Sequence, residues 1–155
     1  MAARYEFVTI LMAEDDPDDR ELIRDAFAES GLQNELRFVE SGEELMDYLR
    51  HRNRYAEPAS APAPGLILLD LNMPGMGGRE SLEHIKNDPE LRHIPVVVLT
   101  TSRAEEDVVQ SYRHGASSYI TKPATFSELV RMARNLQRYW LRLVRLPFTN
   151  GAAER

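Results

Sequence analysis

Five short apolar stretches punctuate the chain, and the segments between them carry apolar residues at three- and four-residue intervals. The stretches are Phe7–Ala13, Leu36–Val39, Leu66–Leu71, Ile94–Thr100 and Ser118–Thr121. Phe7–Ala13, Leu66–Leu71 and Ile94–Leu99 are nearly unbroken runs of aliphatic and β-branched residues. A strand with one wet face alternates apolar and polar positions, so an unbroken run predicts a strand buried on both faces. The weaker stretches at 36–39 and 118–121 predict edge strands.

The intervening segments carry helix signals. Asp16-Pro17 opens the first, with proline placed for a first helical position; Leu22, Ile23, Ala26 and Phe27 share one face, and Gly31 ends it. Ser41 with Glu44, Ser102 with Glu105 and Thr125 with Glu128 each have capping-box spacing. The third helix is predicted from near Arg79 to Asn87-Asp88-Pro89. Val108, Val109 and Tyr112 give the fourth its apolar side, and Gly115 terminates it. The order is (βα)5, which predicts an α/β fold with a parallel five-stranded sheet and helices on both sides.

Two segments exceed that minimal layout. His51 to Pro64 is rich in alanine and proline and suits neither a helix interior nor a central strand, so it predicts a surface loop. Lying before the third strand, it falls away from the edge where α/β ligand sites form. The last helix is long: Leu129, Ala133, Leu136, Trp140 and Leu143 follow one another at intervals of four and three. A helix from Ser127 to Val144 spans roughly 27 Å at 1.5 Å per residue. Its carboxyl half, with Tyr139, Trp140, Leu141, Leu143 and Val144, is expected to project beyond the domain.

Composition narrows the class without naming it. A chain of 155 residues, 43% apolar and 28% charged, predicts one globular domain over 1–155, with its core at 7–135, the insertion at 51–64 and an extension at 136–155. The net charge of −6 argues against wholesale binding of a nucleic-acid backbone. Absence of cysteine excludes disulfides, a thiol nucleophile and a cysteine-ligated zinc. The apolar run Phe7–Ala13 is too short for a membrane span or a signal peptide, so a soluble cytoplasmic protein is expected.

The chemistry gathers at strand ends. Glu14, Asp15 and Asp16 follow the first apolar run, Asp70 lies in the third, Thr100 closes the fourth, and Lys122 follows the fifth. In a parallel sheet all lie at the carboxyl edge. With a 2-1-3-4-5 order the first and third strands are neighbours, and their carboxylates crowd together. Crowded anions raise one another's pKa, and oxygen-only ligands with room for water suit Mg2+. Such a cation and Lys122 would neutralise charge on a phosphoryl group, Thr100 would donate a hydrogen bond, and a carboxylate would be the nucleophile. No glycine-rich phosphate loop follows the first strand, and His51, His84, His93 and His114 lack metal-ligand spacing.

Four stretches together resemble the receiver domain of two-component response regulators. They are Ile10 to Pro17 (ILMAEDDP), Leu68 to Gly75 (LLDLNMPG), Val98 to Thr101 (VLTT) and Gly115 to Pro123 (GASSYITKP), in family order and at family spacing. The resemblance implies the flavodoxin-like (βα)5 fold with strand order 2-1-3-4-5, and Asp70 as phosphoacceptor for a sensor histidine kinase. It implies Mg2+ held directly by Asp15 and Asp70, by the Asn72 backbone carbonyl and by Glu14 through water. Lys122 would pair with the phosphoryl oxygens across a cis Lys122–Pro123 bond, Thr100 and Tyr119 would switch together, and Asp16 would cap the first helix.

Some positions depart from the family pattern. Gly77 stands where an aspartate is frequent, which predicts a looser turn, while Ser102 and Asn72 hold the positions that commonly tune water access to the acyl phosphate. After the fifth helix little chain remains, so a stand-alone regulator is expected. The insertion and the Tyr139-Trp140 helix resemble the regulators that partner phytochrome-type kinases, with a homodimer through that helix. Two alternatives stay open at this level. A haloacid-dehalogenase-type Mg2+ phosphohydrolase would want an acid where Asn72 stands, and a non-phosphorylated pseudo-receiver usually lacks one of the acids, the hydroxyl or the lysine.

Overall fold

Pro64–Leu69 and Val96–Thr100 are strands buried at every position, as their unbroken apolar runs predict. They belong to a computed structural model that describes residues 8–143, 146 and 147. In chain order the elements are β1 (Thr9–Ala13), α1 (Pro17–Glu29), β2 (Leu36–Val39), α2 (Gly42–Leu49), β3 (Pro64–Leu69), α3 (Gly78–Asn87), β4 (Val96–Thr100), α4 (Glu105–Arg113), β5 (Ser118–Thr121) and α5 (Phe126–Leu136). Phe7 and Val144, the expected outer limits of the first strand and last helix, lie outside the described residues.

The sheet has the order β2-β1-β3-β4-β5, and all four pairings are parallel. Alternation along each central strand feeds two separate cores. Leu11, Ile67, Leu69, Val96 and Val98 face Leu45, Met46 and Leu49 of α2 and Leu82 and Ile85 of α3. Ile10, Met12, Leu66, Leu68, Val97 and Leu99 face Ile23 and Phe27 of α1 and Ala133 and Leu136 of α5.

Register positions the site. Ala13 pairs with Leu69, Leu69 with Val98, and Thr100 with Thr121. Glu14, Asp70 and Lys122 therefore leave neighbouring strands at the same edge. The ladder continues one step beyond the strands, since the Asp70 N–H donates to the Ala13 carbonyl at 3.1 Å and the Lys122 N–H to that of Thr100 at 2.7 Å.

Several local expectations need correction. Ser102 is not the N-cap of α4: Ala104 holds that position, because the Ser102 hydroxyl donates to Asp107 Oδ2 at 2.5 Å. Ser41 and Thr125 do cap their helices, accepting from the N–H groups of Glu44 and Glu128. The α3 helix starts one residue before Arg79, at Gly78. Leu22, Val109 and Tyr112 are exposed, and α4 buries Ser111 rather than a valine face.

The 51–64 insertion is not a plain loop. It forms two short 3-10 turns, Asn53–Tyr55 and Pro58–Ser60, and buries Tyr55 and Ala61. The Tyr55 hydroxyl donates to Glu44 Oε2 at 2.5 Å, and that of Tyr48 to the Pro62 carbonyl at 2.8 Å. Pro64 opens β3, a first position, where a strand tolerates proline.

The last helix changes type at Gln137. Residues Gln137–Leu143 are a π-helix, whose wider turn skips a position. Leu141 therefore replaces Trp140 as the next buried apolar residue after Leu136, and Leu141 and Leu146 join the α1–α5 side of the core. The carboxyl half does not project as expected. Trp140 is half-buried against that core, and only Tyr139 is prominently exposed among its described large apolar residues.

Candidate functional site at the carboxyl edge of the sheet

The first turn beyond β1 is organised by its own side chains. Asp16 accepts from the N–H groups of Asp18 at 2.8 Å and Asp19 at 3.4 Å, which makes it the N-cap of α1 as expected. Its own N–H donates to Glu14 Oε2 at 3.1 Å. Arg20 reaches back from α1, donating through Nη1 to the carbonyls of Glu14 at 2.8 Å and Asp15 at 3.0 Å. Glu14 is thereby turned inward and is 1% exposed.

Glu14, Asp15 and Asp70 each bring a carboxylate oxygen within 4.8 Å of the others. Lys122 lies against this group. Its Nζ donates to Glu14 Oε1, to Asp70 Oδ2 at 3.2 Å and to Asp19 Oδ2 at 3.1 Å. The convergence predicted for Glu14, Asp15, Asp70 and Lys122 is therefore present. Asp19 was not foreseen; its only sequence signal is an acid one turn past Asp15, on a helix starting beside the cluster.

Burial pushes Glu14 up to about 7, against the pull of its bonds from Lys122 and the Asp16 N–H, while the Asp70 charge reinforces the rise. For Lys122 burial works downward, but the hydrogen bond to Glu14, the charges of Asp70 and Glu14 and the contact with Asp19 outweigh it. Its ammonium is held above the ordinary lysine value and stays protonated.

Thr100 is fully buried, and its Oγ1 accepts from Asn72 Nδ2 at 3.4 Å. The Asn72 N–H donates to Asp70 Oδ1 at 3.2 Å. Asp70 is thus held by Lys122 on one oxygen and by the next turn of backbone on the other. That turn is not left loose by Gly77. The Met76 N–H donates to Glu43 Oε2 at 3.0 Å, which draws the Glu43 carboxyl below its usual value, and the Gly78 N–H donates to the Leu71 carbonyl at 3.2 Å. A Cβ on Gly78 would stand 2.2 Å from the Asp70 carbonyl oxygen, so only glycine lets α3 begin there.

Tyr119 is half-buried at the β4–β5 side of the site, and its hydroxyl donates to the Ser102 carbonyl at 2.9 Å. Ser102 in turn bonds Asp107, which pairs with Arg79. These contacts tie β5, the β4–α4 connection, α4 and α3 together. The Lys122–Pro123 bond is trans, against expectation, since no cis peptide occurs among the described residues. Trans is the lower-energy isomer for most X–Pro bonds, and the Lys122 side chain already meets its three acids from it.

The donor set suits a hard divalent cation: three carboxylates, all oxygen ligands, with Glu14 and Asp70 buried. No histidine belongs to the group, and Asp16 is committed to its cap.

A five-stranded parallel sheet carrying acids, a hydroxyl and a lysine on successive strand ends is the architecture of a receiver. Over residues 10–134 the sequence matches the response regulator receiver domain, and the chain belongs to that family. It is similar to the response regulator Rcp1 of Synechocystis, with 40% identity over 138 residues that make up 89% of this chain and 92% of Rcp1. The phosphorylated cyanobacterial phytochrome response regulator RcpA has the same fold, with a TM-score of 0.84 and 43% identity over 92% of this chain and 99% of RcpA. The Mn2+-bound form of Rcp1 superposes with a TM-score of 0.81 and 39% identity, over 91% of this chain and 99% of that structure. Family membership removes the ground for a haloacid-dehalogenase-type hydrolase, whose second acid would have to be Asn72.

Proposed function

We propose that the chain is a phosphorylation-controlled response regulator in which Asp70 accepts a phosphoryl group from the phosphohistidine of a sensor kinase. The observation that carries this reading is Lys122: a buried ammonium on Asp70 Oδ2, at the edge where Glu14 and Asp15 also converge. In the transfer, an Asp70 carboxylate oxygen bonds to phosphorus as the phosphorus–nitrogen bond breaks, and the imidazole leaves with the electron pair. Lys122 supplies fixed positive charge beside the incoming oxygens. Thr100 accepts from Asn72, which leaves its own hydroxyl proton free to donate to a phosphoryl oxygen.

Mg2+ is the proposed cofactor, held by Asp15, Asp70 and the Asn72 backbone carbonyl and by Glu14 through water; when bound it neutralises charge on the phosphoryl oxygens. The acyl phosphate is later cleaved by water, so the chain is a phosphoacceptor and not a turnover enzyme. Presence of every acid, the hydroxyl and the lysine disfavours the pseudo-receiver reading.

Output runs through Thr100 and Tyr119. Movement of Thr100 toward the phosphoryl group frees space beside β4, and Tyr119 exchanges its bond to the Ser102 carbonyl for an inward position. The likeness to the phytochrome response regulator RcpA supports a phytochrome-type kinase as donor, and the cytoplasm is the proposed place of action. A second copy of the chain is the proposed partner of the groove between β5 and α5. That groove is about 730 Å³, is lined in part by Ile120, Met132, Tyr139 and Trp140, and has exposed Phe126 on the same helix.

Acetyl phosphate and Mg2+ test the phosphoacceptor reading by intact mass. One phosphoryl group is expected on the native chain and none on Asp70→Asn. Equal labelling of both would place the acceptor elsewhere.

A further inference from the structure

Asp19 stands outside the three-acid group but touches the lysine that the group shares. The Lys122 ammonium has three protons to donate. They meet Glu14 Oε1, Asp70 Oδ2 and Asp19 Oδ2, so two of its partners belong to the candidate cation site and one does not. The side chains of Glu14, Asp70 and Lys122 are 1%, 7% and 7% exposed, while that of Asp19 is 37% exposed.

A divalent cation entering among Glu14, Asp15 and Asp70 needs the carboxylates that Lys122 now occupies. Two cations at one buried pair of carboxylates repel strongly, and an ammonium stripped of partners is costly to bury. Asp19 is the one partner the cation does not claim. We propose that Asp19 is a positioning residue: it holds the Lys122 ammonium when a divalent cation takes over Glu14 and Asp70, keeping the lysine charged, paired and beside the phosphoacceptor. This rests on the functional reading above, and it adds a role for a residue that neither binds the cation nor meets the phosphoryl group.

Calorimetric titration of the full chain with Mg2+ alone tests it, with no phosphorylation required. Asp19→Asn keeps the shape and removes the charge, and is expected to weaken Mg2+ binding about three- to tenfold. Asp18→Asn is the control, because Asp18 is an exposed acid in the same first helical turn that makes no contact with Lys122. It removes the same helix-terminus charge and should leave the affinity within about twofold. Asp19→Glu, which restores the carboxylate, should recover most of the loss.

The second arm places Asp19→Asn in a Lys122→Met background, where the lysine-mediated loss should largely vanish. The proposal is overturned if Asp18→Asn weakens binding as much as Asp19→Asn, or if the loss is unchanged without the lysine. Either result makes Asp19 a general source of negative charge. If Lys122→Met does not fold, the Asp18 control and the Asp19→Glu rescue decide the matter. Failure of the functional reading looks different: the native chain would then bind no Mg2+ and take no phosphoryl group from acetyl phosphate.

Discussion

Lys122 Nζ lies 3.2 Å from Asp70 Oδ2, although 52 residues separate the two in sequence. Each side chain leaves the end of its strand, and β4, which lies between β3 and β5 in the sheet, sets the spacing between them. Lys122 thereby compensates buried negative charge on Glu14 and Asp70, whose carboxylates have no other ion-pair partner among the described residues.

Removing that compensation has a measurable cost. Lys122→Ala leaves Glu14 and Asp70 buried without their ammonium, and loss of one partner of a buried pair costs about 3–5 kcal/mol. Urea unfolding without metal should show a loss of that order, and millimolar Mg2+ should restore a substantial part. A variant as stable as the native chain would mean that the acids are protonated or solvated rather than paired.

The insertion makes a prediction at alkaline pH. Burial first, and for Tyr55 also the bond to Glu44, push the Tyr48 and Tyr55 hydroxyls up to about 12. An unfolded tyrosine ionises near 10. Between these values the unfolded chain binds fewer protons than the folded one, so stability falls as pH rises. The contribution is intact below about pH 10 and lost through about pH 12, on the order of 2 kcal/mol for each residue. Tyr55→Phe should flatten this slope in unfolding titrations at stepped pH. An unchanged slope would exclude Tyr55 as a source.

The π-helical turn is tested by two substitutions two residues apart. Leu141→Ala opens a cavity in the α1–α5 core and should cost about 2–5 kcal/mol. Tyr139→Ala, at a half-exposed position, should stay within about 0.5 kcal/mol. A small loss at Leu141 would favour an uninterrupted α-helix. Because Leu141 and Leu146 belong to the core, truncation before Arg138 would cost stability as well as remove the proposed dimer contact. Tyr139→Glu, read by sedimentation, is the cleaner test of a dimer and should yield a monomer.

Gly78→Ala places a methyl group 2.2 Å from the Asp70 carbonyl oxygen. Backbone must move to admit it, at a cost of order 3 kcal/mol. Labelling by acetyl phosphate should fall more steeply than stability, since the displaced segment carries Asp70. Native labelling would show that the α3 start can shift independently.

Much of this was legible in the sequence because it depends on short-range rules. Unbroken apolar runs marked β3 and β4, and polar residues at their carboxyl ends marked the site. The failures lie where a distant or competing partner decides. Ser102 has capping-box spacing, yet Asp107 captures its hydroxyl. The four-three spacing through Trp140 gives no sign of a π turn, which brings Leu141 into the α1–α5 core. Asp19 shows only as an acid one turn past Asp15, because its partner is 103 residues away. Tyr55 sat in a proline-rich segment whose composition hid a buried ring.

The register described for the sheet has one more consequence. Asp70, Lys122 and Glu14 come from strands that meet only when β1, β3, β4 and β5 are zipped in their final alignment. A chain emerging from synthesis or partly melted by heat would still display an aspartate, but an isolated carboxylate without its neighbours is a poor nucleophile toward phosphorus. With Asp70 as the proposed acceptor, competence to take a phosphoryl group is thus reserved for finished molecules.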